Sequence, residues 1–288
     1  MDYNEINCGK LWEDAMKNAT GAASWSSSGS KRGLKRWDEG AKILNDHLDY
    51  HLKFMKDDEY ANKFVSLMEF DSDSTILDVG CGGGILTIPL AKKVKQVTAL
   101  DVSEVRINQV KEKAKLEGLS NIKFVCKDWS TVSLKNDIGK HDIVIASRSL
   151  GMCNLLDELK KIDSAATERV YISRNTISVD KIRIELHRTI GLKYNDLPSY
   201  IYVLNMLCQM GILANVKFIA CQRKEYYRDL EQAVKVWMWR LGNPVSFKEQ
   251  IRQHLIENLI PNNQGGLSTV PSEEKWAVMF WKKQQLEG

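Results

Sequence analysis

The sequence predicts an α/β fold whose core is a doubly wound, mostly parallel sheet of seven strands. Two patterns carry this prediction. From residue 74 onward, short apolar runs that end at turn residues alternate with segments of helical spacing. A cluster of glycines directly after the first run, at residues 80–84, marks a sharp turn from a strand into a helix. Because β-α-β crossovers are right-handed, strands that alternate with helices at this spacing build a parallel sheet.

Each predicted strand is a short apolar run, and the segments between the strands carry the spacing of helices. The strands are expected at residues 75–79, 96–101, 122–126, 141–146, 169–173, 215–221 and 275–281. Helices are expected among the first five strands at residues 84–93, 103–117 and 155–166. Two later pairs of helices are expected at residues 180–190 and 198–210, and at residues 229–241 and 246–259.

Residues 1–70 contain almost no strand signal, and they predict a helical N-terminal cap. Helices are expected at residues 4–18 and 36–56, joined by a Ser/Gly-rich stretch at residues 21–33. In the second helix, apolar side chains recur at steps of three or four residues and therefore share one face. These side chains are Leu44, Leu48, Leu52 and Met55.

The remaining residues, 71–288, predict one domain with helical additions at about 178–213 and 229–273. We expect the cap and both additions to converge on the carboxyl ends of the strands and to form a lid. Ligands of open parallel sheets bind beyond those strand ends, next to the point where the strand order reverses. The lid would therefore close over the functional site.

Composition and charge exclude several classes of protein. With 41 Lys and Arg against 37 Asp and Glu, the net charge of +4 is too small to indicate a nucleic-acid partner. No apolar run approaches the roughly 18–20 residues that span a bilayer, and the first residues are acidic where a signal peptide is basic. The six cysteines form no C-x-x-C pair, which argues against a disulfide framework or a metal site. We expect a cytoplasmic protein that neither enters a membrane nor holds a metal.

The glycine cluster follows the pattern D-x-G-x-G-x-G, formed by Asp78, Gly80, Gly82 and Gly84. Glycines at such a turn let a ligand approach the backbone at the start of a helix. A dinucleotide fold would have G-x-G-x-x-G, which fails here in both possible registers, and no G-K-[ST] follows to make a phosphate loop.

This pattern resembles motif I of the class I S-adenosylmethionine-dependent methyltransferases, and the resemblance continues down the chain. The second strand ends at Asp101, where the family has an acid that binds the ribose hydroxyls. The third strand leads into Asp128, where the family has an acid that meets the adenine amino group. The fourth strand, at residues 142–147, matches motif IV. The resemblance implies S-adenosylmethionine as cofactor, S-adenosylhomocysteine as product, and a seven-stranded sheet whose last strand is antiparallel.

The resemblance also implies which residues bind the methionine half of the cofactor. Backbone amides around Gly80 and Gly82 would hold the methionine moiety, and Asp78 would favour its ammonium group. Ser147 would lie beside the methionine end.

For the nucleoside half, the resemblance implies that Asp101 accepts both ribose hydroxyls and that Asp128 accepts from the exocyclic amine. Val102 and Trp129 would border the adenine. A second interpretation of Trp129, as a rim aromatic packed on a neighbouring helix, carries equal weight.

The family has no fixed catalytic residue, because in-line methyl transfer chiefly needs an aligned acceptor and the exclusion of water. Methyltransferases that act on base or side-chain amide nitrogens carry N-P-P-Y or D-P-P-Y after strand 4, whereas this chain has Ser-Arg-Ser-Leu at residues 147–150. We therefore expect a small-molecule acceptor. An RNA or protein methyltransferase of the same fold, and a regulatory protein that binds S-adenosylmethionine without catalysis, are the alternatives.

Four side chains are candidates for a catalytic role, each on weak grounds: His47, His51, Arg148 and Tyr226. Arg148 and Arg174 follow the ends of two strands, and if both pointed into the cleft they would suit an anionic substrate. The alternative is that each arginine forms a salt bridge with a neighbouring carboxylate. The histidines lie four residues apart, without the glutamate that a zinc-protease pattern requires.

Overall fold

The computed structural model describes residues 6–19, 38–43, 58–176, 181–242 and 244–283. Its strands are β1 Thr75–Val79, β2 Gln96–Asp101, β3 Ile122–Cys126, β4 His141–Ser147, β5 Ala166–Asn175, β6 Asn215–Arg223, β7 Tyr226–Tyr227, β8 Leu259–Pro261, β9 Leu267–Thr269 and β10 Ser272–Lys282. Its helices are α1 Cys8–Asn18, α2 Glu59–Ser66, α3 Thr87–Ala91, α4 Glu104–Leu116, α5 Leu155–Ala165, α6 Lys181–Thr189, α7 Tyr200–Gln209, α8 Leu230–Arg240 and α9 Lys248–Asn258. Residues 38–43 are also helical, and short turns of helix lie at Trp129–Thr131, Leu134–Ile138 and Val245–Phe247.

Seven strands form the main sheet, in the order β3-β2-β1-β4-β5-β10-β6. Strand β1 runs parallel to β2 and β4, and β10 runs antiparallel to β5 and β6. The chain builds outward from β1 to β3 and then returns to β4, so the strand order reverses between β1 and β4. The predicted fold class, including the antiparallel last strand, is confirmed.

Apolar side chains on both faces of the central strands explain why the sheet is buried. Leu77 of β1 packs on one face together with side chains of α1, α5 and α7, and Ile76 packs on the other face together with side chains of α2 and α3. Both side chains have no exposed surface. Because successive residues of a strand point to opposite faces, a run without polar interruptions is the expected pattern for a sheet covered by helices on both sides.

Helix α1 belongs to the same core as the sheet. Its Trp12 is fully buried, and its indole Nε1 donates to the carbonyl of Met152 at 2.8 Å. Most of the predicted second helix of the cap, including its apolar face, lies outside the described residues. The division into a cap at residues 1–70 and a domain at residues 71–288 stays a prediction.

Two elements differ from the sequence prediction. Helix α2 was not predicted: Asp58 caps it by accepting from the amide of Ala61 at 2.8 Å, and Tyr60 and Phe64 bury its inner face. The addition predicted as helical at about 229–273 also contains strands β8 and β9, which form a second sheet in the order β7-β9-β8. Strands of two or three residues are too short to show a periodic pattern, so the sequence could not predict them. Among the described helices, none is long and apolar enough to cross a membrane.

Candidate functional site

A cleft of about 1020 Å³ lies at the carboxyl ends of β1 to β4, beside the point where the strand order reverses. Its size is at the upper end of the range for small-molecule sites, roughly 300–1,000 Å³. Seven of the eight residues predicted to bind the cofactor line this cleft: Gly80, Gly82, Asp101, Val102, Asp128, Trp129 and Ser147. The sequence-predicted residues from four separate strand ends therefore meet at one rim.

The glycine loop after β1 requires glycine for both conformation and space. Gly80 has φ +72°, and a Cβ atom added there would lie 2.5 Å from the Cβ atom of Ser149. The amide of Gly80 donates to the carbonyl of Leu100 at 2.8 Å, and the amide of Gly82 donates to Asp101 Oδ2 at 2.9 Å. The amides of Gly80 and Gly82 are thus bonded within the protein, and the expectation that amides around these two residues hold the methionine moiety stays a prediction.

Asp101 ends β2 at the centre of the rim. Besides accepting from Gly82, its carboxylate accepts from the amide of Ser103 at 2.9 Å through Oδ1. Burial raises the pKa of Asp101, and these two backbone hydrogen bonds oppose that shift. Each carboxylate oxygen has a second lone pair, so Asp101 can still accept two hydroxyl groups from the cleft.

Asp128 presents an unsatisfied acceptor. Its Oδ1 accepts from the amide and the hydroxyl of Ser130, at 2.9 and 2.7 Å, and so caps the turn of helix that begins at Trp129. Its Oδ2 is buried without a hydrogen-bond partner among the described residues. A buried acceptor without a donor is costly, roughly 1–3 kcal/mol. An amine at this point would satisfy it, so the residues present fit the adenine end of S-adenosylmethionine.

Trp129 has the position that both of its predicted roles require, and its contact with the adenine stays a prediction. It lines the cleft and is 4% exposed, and it also packs in the core cluster shared with α5. The ammonium group of Lys161, on α5, lies 4.8 Å from its ring centroid.

Asp78 does not line the cleft. Its Oδ2 accepts from the hydroxyl of Thr87 at 2.6 Å, which ties the end of β1 to the first residue of α3. Burial raises the pKa of Asp78 to about 7, against the opposing effect of the Thr87 hydrogen bond. The contact of Asp78 with the ammonium group of the cofactor stays a prediction.

A group of hydroxyls lies where β4 and β5 end. Ser147 and Ser173 face each other in the parallel register of the two strands. The phenol oxygen of Tyr60, from α2, lies 2.7 Å from Ser147 Oγ and 2.6 Å from Ser173 Oγ. Burial raises the pKa of Tyr60, so the phenol is protonated at neutral pH. Ser147 lines the cleft, and Tyr60 supports it from behind.

Arg148 lines the cleft with an exposed side chain and a φ of +56°. Its amide donates to Ser173 Oγ at 3.1 Å, and its guanidinium carbon lies 4.3 Å from the centroid of the Tyr60 ring. In the part of the chain that the structure describes, no carboxylate forms an ion pair with it. The alternative in which Arg148 is neutralised by a salt bridge is therefore wrong for the described residues.

Arg174 points away from the cleft and donates to carbonyl groups, so the interpretation in which both arginines face the cleft is wrong. It is 6% exposed, and its Nε and Nη1 donate to the carbonyls of Pro198 and Leu150 at 2.9 and 2.8 Å. Burial lowers its pKa to about 10. Strand β5 continues to Asn175, two residues beyond the predicted end, so Arg174 lies within the strand and faces α1 rather than the rim.

The other catalytic candidates lie elsewhere. His47 and His51 fall outside the described residues. Tyr226 is half-buried in β7 and does not line the cleft. Sequence reasoning missed Tyr60, Ser173 and Trp276, of which only Tyr60 had a local signal, an Asp-capped segment with aromatic side chains four residues apart.

Comparisons with known proteins agree with this geometry. Residues 76–166 match the family model described as a methyltransferase domain. The chain is 28% identical over 250 residues to an uncharacterized protein of Haemophilus influenzae, a match that covers 85% of this chain and 88% of that protein. It is 32% identical over 94 residues to the "Probable ribosomal RNA small subunit methyltransferase A" of Methanosphaera stadtmanae, which covers 33% of each chain.

A crystal structure of a Bacillus halodurans protein assigned as a methyltransferase shares the fold. Its TM-score is 0.53 at 14% identity, over 78% of this chain and 99% of that one. The glycine loop, the acids at the ends of β2 and β3, and the family match all fall in the same segment of the chain. Residues 76–166 therefore form the core of a class I, S-adenosylmethionine-dependent methyltransferase domain, and the resemblance found in the sequence is confirmed.

Proposed function

We propose that this methyltransferase transfers the methyl group of S-adenosylmethionine to a small-molecule acceptor by in-line displacement. The observation that carries the proposal is that one cleft joins the cofactor residues to a separate group of side chains at the ends of β4 and β5. The cofactor, when bound, supplies an electrophilic methyl group. What the chain must add is a position for the acceptor and protection from water.

In the proposed cofactor site, Asp101 accepts the ribose hydroxyls and the unpartnered Oδ2 of Asp128 accepts the adenine amine. Val102 and the cleft-facing side of Trp129 border the base. Gly80 and Gly82 allow close approach of the cofactor to the loop, although their own amides are bonded within the protein. Asp78 supports this site from behind, through Thr87.

In the proposed acceptor site, Ser147 lies between the two halves of the cleft and Arg148 provides an exposed positive charge. An acceptor with a carboxylate or phosphate group suits that charge. The phenol of Tyr60 remains protonated because burial raises its pKa, so we do not assign it as a general base. An acceptor atom that is already nucleophilic needs no general base.

An RNA acceptor is the second candidate, because a relative named as a ribosomal RNA methyltransferase matches 94 residues of the chain. The small molecule is favoured by the residues after β4, which depart from the N-P-P-Y and D-P-P-Y patterns, and by the small net charge.

Calorimetry with S-adenosylmethionine and S-adenosylhomocysteine tests the cofactor site, and a screen that follows S-adenosylhomocysteine formation tests the acceptor. We expect product with at least one anionic metabolite and none with total RNA. Asp101→Ala should weaken cofactor binding, whereas Asp73→Ala, a matched change at an exposed acid outside the cleft, should not. A wild-type protein that binds neither cofactor form would refute the proposal, and product with RNA alone would favour the second candidate.

A further inference from the structure

We infer that Tyr60 and Trp276 form an aromatic platform that positions Arg148 as the anchor for a carboxylate or phosphate group of the acceptor. This inference rests on the proposed function, and it adds the residues that set the acceptor's charge. Three elements far apart in the chain meet here. Helix α2 and strand β10 supply the two rings, and the loop after β4 supplies Arg148.

The guanidinium group of Arg148 lies over both rings of the platform. The guanidinium carbon of Arg148 lies 4.3 Å from the centroid of the Tyr60 ring and 5.8 Å from that of the Trp276 ring. The two rings lie 5.8 Å apart, at an interplanar angle of 66°. Guanidinium groups at such distances are attracted by the ring faces. The platform therefore restricts a long side chain that would otherwise move freely in the cleft.

Two serine side chains at the ends of β4 and β5 hold Tyr60 in place. Its hydroxyl lies within hydrogen-bond distance of both Ser147 and Ser173, and the residue is 3% exposed. Ser173 Oγ also accepts from the amide of Arg148, so the same hydroxyl group supports both the ring and the backbone above it. A change in the χ1 rotamer of Tyr60 would break contacts at two strand ends.

The backbone of Arg148 has a left-handed conformation that is uncommon for residues other than glycine. With φ +56°, it is the one non-glycine residue at positive φ in the described part of the chain. Strained residues that the surroundings hold in place cluster at functional sites. Here the left-handed backbone conformation directs the side chain of Arg148 over the platform and toward the cleft.

The charge of Arg148 is available to a ligand. Its side chain is exposed and lines the cleft, and the described residues provide no carboxylate partner for it. A guanidinium held by its face keeps its N–H donors at the edge, where a carboxylate or phosphate binds in a bidentate manner. Arg174, which lies in the neighbouring strand β5, cannot bind the same anion, because it is buried and donates to carbonyl groups.

Matched probes can test this inference without knowledge of the acceptor. Benzoate, phenyl phosphate and neutral benzamide share a ring and differ in charge. We would titrate each into the full chain by ligand-observed NMR, with and without saturating S-adenosylhomocysteine. At least one of the anions should bind about tenfold or more tightly than benzamide, as expected for charge-assisted hydrogen bonds. Whichever of benzoate and phenyl phosphate binds more tightly shows whether the site prefers a carboxylate or a phosphate group.

Single variants and one double variant then show which residues cause the preference for anions. Arg148→Ala should abolish it, and Arg228→Ala, which removes an exposed arginine outside the cleft, should keep it. Tyr60→Phe, which keeps the ring, should retain the preference within about twofold, whereas Tyr60→Leu should lose most of it. If Tyr60→Leu fails to fold, Trp276→Leu tests the platform from its other side. In the double variant Arg148→Ala/Tyr60→Leu, the loss should not exceed that of Arg148→Ala alone.

Equal affinity for anions and benzamide, absence of binding by all three probes, or a preference that survives Arg148→Ala would overturn the inference. So would a Tyr60→Leu or Trp276→Leu protein that folds and keeps the full preference. Failure of the proposed function shows separately, as a protein that does not bind S-adenosylhomocysteine, because the anion titrations are also made without it.

Discussion

The carboxylate of Asp101 accepts a hydrogen bond of 2.9 Å from the amide of Gly82, which ties the end of β2 to the glycine loop after β1. The same carboxylate accepts from Ser103 at the start of α4. One acid thus fixes three segments of the rim before any ligand is bound. A site assembled in this way loses little freedom on binding, which favours affinity.

Replacing Asp101 should weaken cofactor binding and also lower the stability, because the amides of Gly82 and Ser103 lose their acceptor. Asp101→Ala removes the proposed acceptors for two ribose hydroxyls. Hydrogen bonds to charged groups contribute about 1.5–3 kcal/mol, so we expect S-adenosylmethionine to bind roughly 10–100-fold more weakly. Calorimetry measures this change, and the thermal midpoint measures the stability. An unchanged dissociation constant in a folded Asp101→Ala protein would show that the ribose does not bind there.

Gly80 should be intolerant of a side chain for two separable reasons. Gly118 has a similar φ of +66° with nothing within 4 Å of an added Cβ atom, so Gly118→Ala measures the backbone cost alone, about 1–2 kcal/mol. Gly80→Ala adds the clash with Ser149, and overpacking of this kind costs a further 1–3 kcal/mol, roughly. Urea unfolding of both variants gives the difference.

The clash at Gly80 can be relieved independently. In the double variant Gly80→Ala/Ser149→Gly the opposing Cβ atom is absent, so much of the extra destabilisation should return. The hydrogen bond from Ser149 Oγ to the carbonyl of Val79 is lost as well, so recovery is incomplete. If Gly80→Ala proves no more destabilising than Gly118→Ala, the close approach of the two loops is not a constraint.

Asp78 makes the stability depend on pH. Its pKa is about 7 in the folded chain, against an ordinary value of 3.8. Between these values the folded state holds a proton that the unfolded state has released, so the free energy of unfolding falls as the pH rises. The contribution is fully present below the unfolded pKa and is lost as the pH passes the folded pKa.

Asp78→Asn removes this titration while preserving the size of the side chain. Relative to the variant, the wild type should lose stability between pH 4 and pH 7, by at most about 1.4 kcal/mol per pH unit for one group. Urea unfolding of both proteins across this range measures the difference. Parallel stability curves would mean that Asp78 titrates normally and is not buried as described.

The rim at the ends of β1, β2 and β3 could be predicted from the sequence, because each of these strands is a short apolar run that ends at a turn. Strands β1, β2 and β3 have the predicted bounds, and the residues that end them directly form the rim. The loop, Asp101 and Asp128 each follow an apolar run, so topology alone brings them together.

The side chains of the proposed acceptor site could not be predicted in the same way. Tyr60 reaches Ser147 and Ser173 across 87 and 113 residues of sequence, through packing of a helix that precedes the sheet. The orientation of Arg174 depends on two extra residues of β5, which pair with Ala277 and Trp276 of β10. Contacts between distant segments leave no periodic signal in the sequence.

The positive φ of Arg148 should lower the stability of the fold, whereas its guanidinium group is what the proposed preference for anions requires. Arg148→Ala and Arg148→Gly both remove the guanidinium and its contact with the Tyr60 ring, but only glycine adopts φ +56° without strain. The glycine variant should therefore be more stable than the alanine variant by about 1 kcal/mol, while neither retains a preference for anions. Urea unfolding of the two variants measures this difference, with the wild type as reference. Equal stability would mean that position 148 has relaxed to negative φ, and the strain argued for Arg148 would then be wrong.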